Sequence, residues 1–143
     1  MKTSEKEIIT YLRKGKKVNI SEIARKLNLP TSTVRDRIKK IEKRYVTKRA
    51  SLLDYSRLGY FSNAMLAIKI EPKEKNEFLD FAKKHEYVNS IYQINSGFNF
   101  LVELVCRDNL KLRNWIEEIK MMFSLKIMLF QILKTEEKEK FIP

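Results

Sequence analysis

The chain has 143 residues, 43% of them hydrophobic and 34% charged, enough for one ordinary domain or two small ones and too few for a large multi-domain enzyme. Thirty Lys plus Arg against eighteen Asp plus Glu leave a formal charge of +12, a surplus that points to a polyanionic partner such as nucleic acid, with an acidic membrane surface as the other candidate. Cys106 is the only cysteine, which excludes an internal disulfide and any multi-cysteine metal site.

The first third carries nearly all of the surplus. Met1–Ala50 holds 16 Lys plus Arg against 5 Asp plus Glu, and Ser51–Pro143 holds 14 against 13. A charge serving only solubility would be spread out, so the asymmetry predicts a basic module joined to a nearly neutral one. Met1–Lys17 is basic throughout and lacks the apolar segment of a signal peptide, so a cytoplasmic location is expected. Thr3 or Ser4 can cap a first helix whose apolar face is Ile8, Ile9 and Leu12, with Gly15 as its stop. Ser21 begins a second, short helix with Ile23, Ala24 and Leu27, and Asn28-Leu29-Pro30 forces a turn because proline restricts the residue before it. Thr31 or Ser32 caps a third helix running to about Arg44.

At 100° per residue, Val34, Ile38, Ile41 and Tyr45 form one buried stripe of that third helix. The opposite face carries Ser32, Asp36, Lys39, Lys40 and Lys43, with Thr33, Arg35 and Arg37 on its flanks. Two short helices meeting at a tight turn, the second with a polar, cationic outer face, predict a helix-turn-helix that reads the major groove of duplex DNA. Cations that merely solvate an exposed helix would be mixed with acids, and here the outer face offers Asp36 and, nearer its edge, Glu42. Ser32 and Thr33 at the helix start suit a phosphate or the first bases. Asp36 can accept from cytosine N4 or pair with Lys40 one turn on. Lys39 can reach a guanine edge, while Arg35, Arg37, Lys40 and Lys43 suit phosphate contacts. Tyr45–Leu52 mixes β-branched and basic residues and predicts a short strand serving as a wing, with Lys48 and Arg49 either flanking the DNA or acting as ordinary linker charge.

Beyond the linker the period changes to two. Tyr60–Ile70 alternates as a strand, Pro72 opens a helix with Phe78, Phe81 and Ala82 inward, and Val88–Ile94 and Phe98–Cys106 are strands joined at Asn95-Ser96-Gly97. The uncharged stretch Tyr87–Val102 contains seven polar or glycine interruptions and is not a membrane span. Asp108 caps a helix with Leu112, Ile116, Ile119 and Phe123 inward, and Leu125–Leu133 is the last strand. The order βαββαβ is that of a ferredoxin-like sandwich, and the whole is α+β: a winged helix-turn-helix at residues 1–50, a linker at 51–60 and the sandwich at 61–143. Two apolar faces alternate on the third and last strands, and two helices cover only one of them. The economical second cover is another copy of the sheet, giving a two-fold homodimer; the alternative is the basic module folding back over it.

The segments ISEIARKLNLPTSTVRDRIKKIEKRYV (Ile20–Val46) and LLDYSRLGY (Leu52–Tyr60), followed by the βαββαβ half, resemble in order the helix-turn-helix, linker and effector domain of the Lrp/AsnC family of prokaryotic transcription regulators. The resemblance implies a homodimer, in some members assembled up to an octamer, that binds promoter DNA and in many members responds to an amino acid. It also implies an effector loop at Ser96, Gly97 and Asn99. Asn99 stands where the family often has an aspartate, and an amide lacks the charge that pairs with a bound amino group. Arg44 stands where the family usually has glycine after the recognition helix.

Other classes have less to stand on. A sirohaem-decarboxylase-like enzyme resembles the same architecture, but the sheet half offers His85 alone as imidazole, and His85 suits the support of a helix C-terminus better. With no glycine-rich phosphate loop, no metal-spaced His/Cys set and no nucleophile triad, neither enzyme activity, a cofactor nor a metal is expected. A structural protein that binds nucleic acid non-specifically is the remaining alternative. Trp115 is expected at the edge of the core, Cys106 inert and buried, Met121-Met122 in ordinary packing and Glu136–Lys140 frayed.

Overall fold

Apolar spacing and caps set the first three helices. In the structure, a computed structural model describing residues 3–14 and 18–140, α1 spans Thr3–Arg13, α2 Ile20–Leu27 and α3 Thr31–Tyr45. The stop expected at Gly15 lies outside the described residues. α2 starts one residue before Ser21, because Asn19 is its N-cap: the Asn19 Oδ1 accepts from the Glu22 N–H at 3.2 Å. Its other end turns on Asn28 at φ +50°, where the Leu29 N–H donates to the Ala24 carbonyl at 2.9 Å. Asparagine tolerates this left-handed geometry, and the bond satisfies a carbonyl the helix would leave bare. Ile8, Ile23, Ala24, Val34, Ile38 and Ile41 form the core, each buried aliphatic among them worth about 1.5–3 kcal/mol over exposure. Tyr45 departs from the predicted stripe: it is 44% exposed, with the Arg44 guanidinium 5.2 Å from its ring centroid. As the last residue of α3 it projects past the packed part of that stripe.

Residues 46–54 form no strand. The wing strand expected at Tyr45–Leu52 is absent for a backbone reason: β-propensity alone does not make a ladder, and these residues have no strand to exchange hydrogen bonds with. The chain divides into two units, the first ending at Leu52 and including the tail from Glu137, the second Leu53–Glu136. Within the first, the Arg13 guanidinium is 2.8 Å from the Glu139 carboxylate.

The second unit runs β1 (Ser62–Ile70), α4 (Lys75–Lys84, led in by a 3-10 turn at Pro72–Glu74), β2 (Val88–Gln93), β3 (Phe100–Cys106), α5 (Asn109–Met122) and β4 (Leu125–Gln131). The sheet order is β2-β3-β1-β4 with every neighbouring pair antiparallel, which is the βαββαβ sandwich. Asp108 caps α5 as expected, its Oδ1 accepting from the Lys111 N–H at 2.8 Å. Ala64, Leu66, Ile68, Phe100, Val102 and Leu104 meet Phe78, Ala82, Leu112 and Ile119 in the core. Trp115 lies inside that core at 1% exposure rather than at its edge, and its indole N–H has no acceptor among the described residues. Met121 and Met122, expected in packing, are exposed.

Candidate nucleic-acid interface

The candidate interface is the outward face of α3, and its start is set by Pro30. Pro30 occupies the N-cap position at φ −59° and ψ 144°, and no side chain caps the helix. The cap expected at Thr31 or Ser32 therefore sits one residue earlier, since the fixed φ of proline already suits a helix entry. Thr31, Ser32 and Thr33 become the first three helical residues, whose N–H groups have no acceptor within the helix.

From there the 3.6-residue period sorts the side chains. Ser32, Arg35, Asp36, Lys39, Lys40 and Lys43 are exposed and lie opposite or beside the buried Val34, Ile38 and Ile41, while Thr33 is half-buried. Among the described residues no ion pair reaches Arg35, Asp36, Lys39, Lys40 or Lys43, so the alternative of an Asp36–Lys40 pair is not formed. α3 has no acid in its first turn and carries Lys43 and Arg44 in its last. Arg37 is set apart from the others: half-buried, its Nη1 donates to the Ser4 Oγ of α1 at 2.9 Å. Arg49, considered as a flanking cation, is ion-paired with Glu42. The Arg37 partnership carries no local sequence signal, because Ser4 and Arg37 are 33 positions apart.

The residues of the expected effector loop lie at one end of the sheet. Gly97 adopts φ +81° with open space where a Cβ would be, so the glycine is required by the turn and not by crowding. Ser96 is exposed at the same turn. Asn99 is turned to the backbone: its Oδ1 accepts from the Ile70 N–H at 2.7 Å, and its own N–H donates to the Ile68 carbonyl at 2.8 Å. Its carboxamide thus fastens the end of β1, a use that the hairpin signal does not reveal.

His85 is the C-cap of α4. Its Nδ1 accepts from the Tyr87 N–H at 3.3 Å and its ring packs beside Phe81, Tyr87 and Trp115. Cys106 is buried, and that burial, with a smaller contribution from the Asp108 carboxylate, pushes its thiol up to about 11. Among the described residues no group of three or more His, Cys, Asp or Glu could hold a metal ion, and no helix is long and apolar enough to cross a membrane.

Residues 1–44 match the model of a winged helix-turn-helix DNA-binding family. An HTH-type transcriptional regulator of Pyrococcus horikoshii is 32% identical over 117 residues, covering 79% of this chain and 73% of that one. Among solved structures, Escherichia coli AsnC superposes with a TM-score of 0.89 at 16% identity, covering 100% of this chain and 99% of that one. Bacillus subtilis LrpC gives 0.84 at 15% identity, covering 96% and 97%. A Neisseria meningitidis transcriptional regulator in complex with L-Met gives 0.89 at 16%, covering 100% and 96%. A helix-turn-helix whose second helix presents an uncapped start and exposed cations, joined to this sandwich and matched by these relatives, places the chain in the family of HTH-type DNA-binding transcriptional regulators, with the fold of the Lrp/AsnC structures.

Proposed function

We propose that the chain acts in the cytoplasm as a homodimer, or a larger assembly of such dimers, that presents two copies of α3 to successive major grooves of a palindromic promoter site. Half-sites then lie about one helical turn, or a multiple of it, apart. The observation that carries this reading is the outer face of α3, where Ser32, Arg35, Asp36, Lys39, Lys40 and Lys43 are exposed together and, among the described residues, free of ion pairs. Ser32 and Thr33 with their N–H groups hold a phosphate at the helix start, Lys39 and Asp36 read base edges, and Arg35, Lys40 and Lys43 neutralise the backbone. Arg37 supports the helix from behind through Ser4 rather than touching DNA. The protein works by binding and not by catalysis, in keeping with relatives that are named as transcriptional regulators.

The homodimer is supported by the uncovered sheet face, where Tyr92, Met128 and Phe130 are about half exposed. An effector site at Ser96, Gly97 and Asn99 has the L-Met complex of the Neisseria neighbour in its favour. With Asn99 in place of a carboxylate and committed to Ile70, an amino acid binds here weakly.

A binding selection on random duplex DNA at two salt concentrations tests the reading. The expected result is a palindromic motif, weakened by Lys39→Ala and by Ser32→Ala. No enriched motif at either salt concentration would show non-specific binding and overturn it. Adding each amino acid in turn to the same selection reads the effector loop.

A further inference from the structure

The first unit contains a groove of about 780 Å³, lined by α1, by the later part of α3 and by residues 46–51. Ile9 and Leu12 of α1 give it an apolar wall, and both are half-buried against the core of this unit. Ile41 and Tyr45 contribute from α3. Ile41 is 3% exposed and Tyr45, one turn on, is 44% exposed, so the apolar stripe of α3 runs out of cover within this groove. Arg13, the last residue of α1, belongs to the same lining.

Arg13 also holds the tail. Its Nη2 donates to the backbone carbonyl of Glu139 and, at 2.8 Å, to the Glu139 carboxylate. Glu139 stands at φ +57°, a conformation uncommon in residues other than glycine. The ion pair is largely exposed, 40% on one side and 52% on the other, and a surface pair of that kind is too weak to hold a tail by itself. Glu136–Lys140 is charged at every position, and Phe141 and Ile142 follow it. These two lie outside the described residues. Two residues of extended chain span at most about 7 Å, so Phe141 begins its reach from the rim that Arg13 forms. We propose that Phe141 and Ile142 seat in this groove of their own copy, covering Leu12 and Tyr45, with Arg13 and Glu139 as the clasp. Grooves of this size take an apolar ligand of several hundred Å³, and burial of two large side chains supplies what the exposed ion pair lacks. The tail thereby joins the last turn of α3 to α1. Ile41 lies on the stripe opposite the exposed cations of α3, so the filled groove leaves that face open, and the inference does not depend on what the face binds.

Nuclear Overhauser contacts and amide exchange in the full chain test this. The Phe141 ring should contact the methyl groups of Leu12 and Ile41, and in a one-to-one mixture of labelled and unlabelled chains these contacts should stay within the labelled copy. Contacts that cross between copies, or none at all, overturn the proposal. Phe141→Ser combined with Ile142→Ser should speed amide exchange across Ile38–Tyr45 by about tenfold or more, with the emission of Trp115 in the second unit unchanged. Phe141→Leu keeps an apolar side chain and should stay within about threefold of the unmodified chain. If the double variant exchanges as slowly as the unmodified chain, the tail does not cover the groove and the proposal falls. Protection that rises with protein concentration then assigns the groove to a second copy, and protection indifferent to concentration leaves it open.

Discussion

Arg37 and Lys43 lie on the same helix, and their surroundings give opposite consequences when each is removed. Lys43 is exposed and unpaired, so Lys43→Ala should weaken binding evenly across DNA sequences and reduce the slope of log affinity against log salt by about 1. Arg37 is bound to Ser4. Arg37→Ala should leave that slope unchanged and cost about 1 kcal/mol of stability, read by thermal unfolding. At Cys106 the sign follows from burial. A thiol raised to about 11 holds its proton more tightly folded than unfolded, so its contribution is full below pH 9 and is lost as pH rises from there toward 11. Cys106 should resist alkylation at neutral pH in the native chain and react once it is unfolded. Asn99→Ala should strand the Ile70 N–H and cost about 1–3 kcal/mol. Asn99→Asp keeps an acceptor there and supplies the missing charge, so it should strengthen any response of DNA binding to amino acids.

At the scale of elements, what was legible in the sequence was periodic and what was not was relational. The stripe Val34, Ile38, Ile41 and the alternation Ala64, Leu66, Ile68, Ile70 are buried as their spacings require, because 3.6 and 2 are properties of the backbone. The βαββαβ order followed from those periods, from the cap at Asp108 and from the turn at Asn95-Ser96-Gly97. Tyr45 shared the helical period yet emerged exposed, because a period says which side a residue faces and not how far the packing extends. The wing strand failed for want of a partner, and the cap of α3 shifted to Pro30 because backbone φ decided it before any hydroxyl could. In the candidate site, the exposed cations of α3 were legible from the sequence, whereas the inward turns of Arg37 and Asn99 depend on residues distant in sequence, Ser4 and Ile70. Asn19→Ala should cost about 1 kcal/mol by removing the acceptor for Glu22, and Asp108→Ala a similar amount at α5, each measurable by denaturant titration.

For the whole molecule, charge and apolar surface are divided between the two units. The first holds nearly all of the cationic surplus, and the second holds a half-exposed apolar face. Deleting Met1–Ser51 should therefore abolish salt-dependent duplex binding in a mobility-shift assay and leave self-association intact. Phe130→Asp in the full chain should do the reverse at the level of assembly, giving monomers in sedimentation with the helix-turn-helix still folded. Trp115 offers a way to follow the two halves separately. It is the chain's only tryptophan, sealed at 1% exposure in the sandwich between α5 and the sheet. Its fluorescence should thus report melting of the sandwich alone, red-shifting as the indole meets water, while the helix-turn-helix can unravel without changing that emission. Ellipticity recorded on the same sample would register both events, and any gap between the two curves would measure how far the DNA-reading half lives or dies on its own.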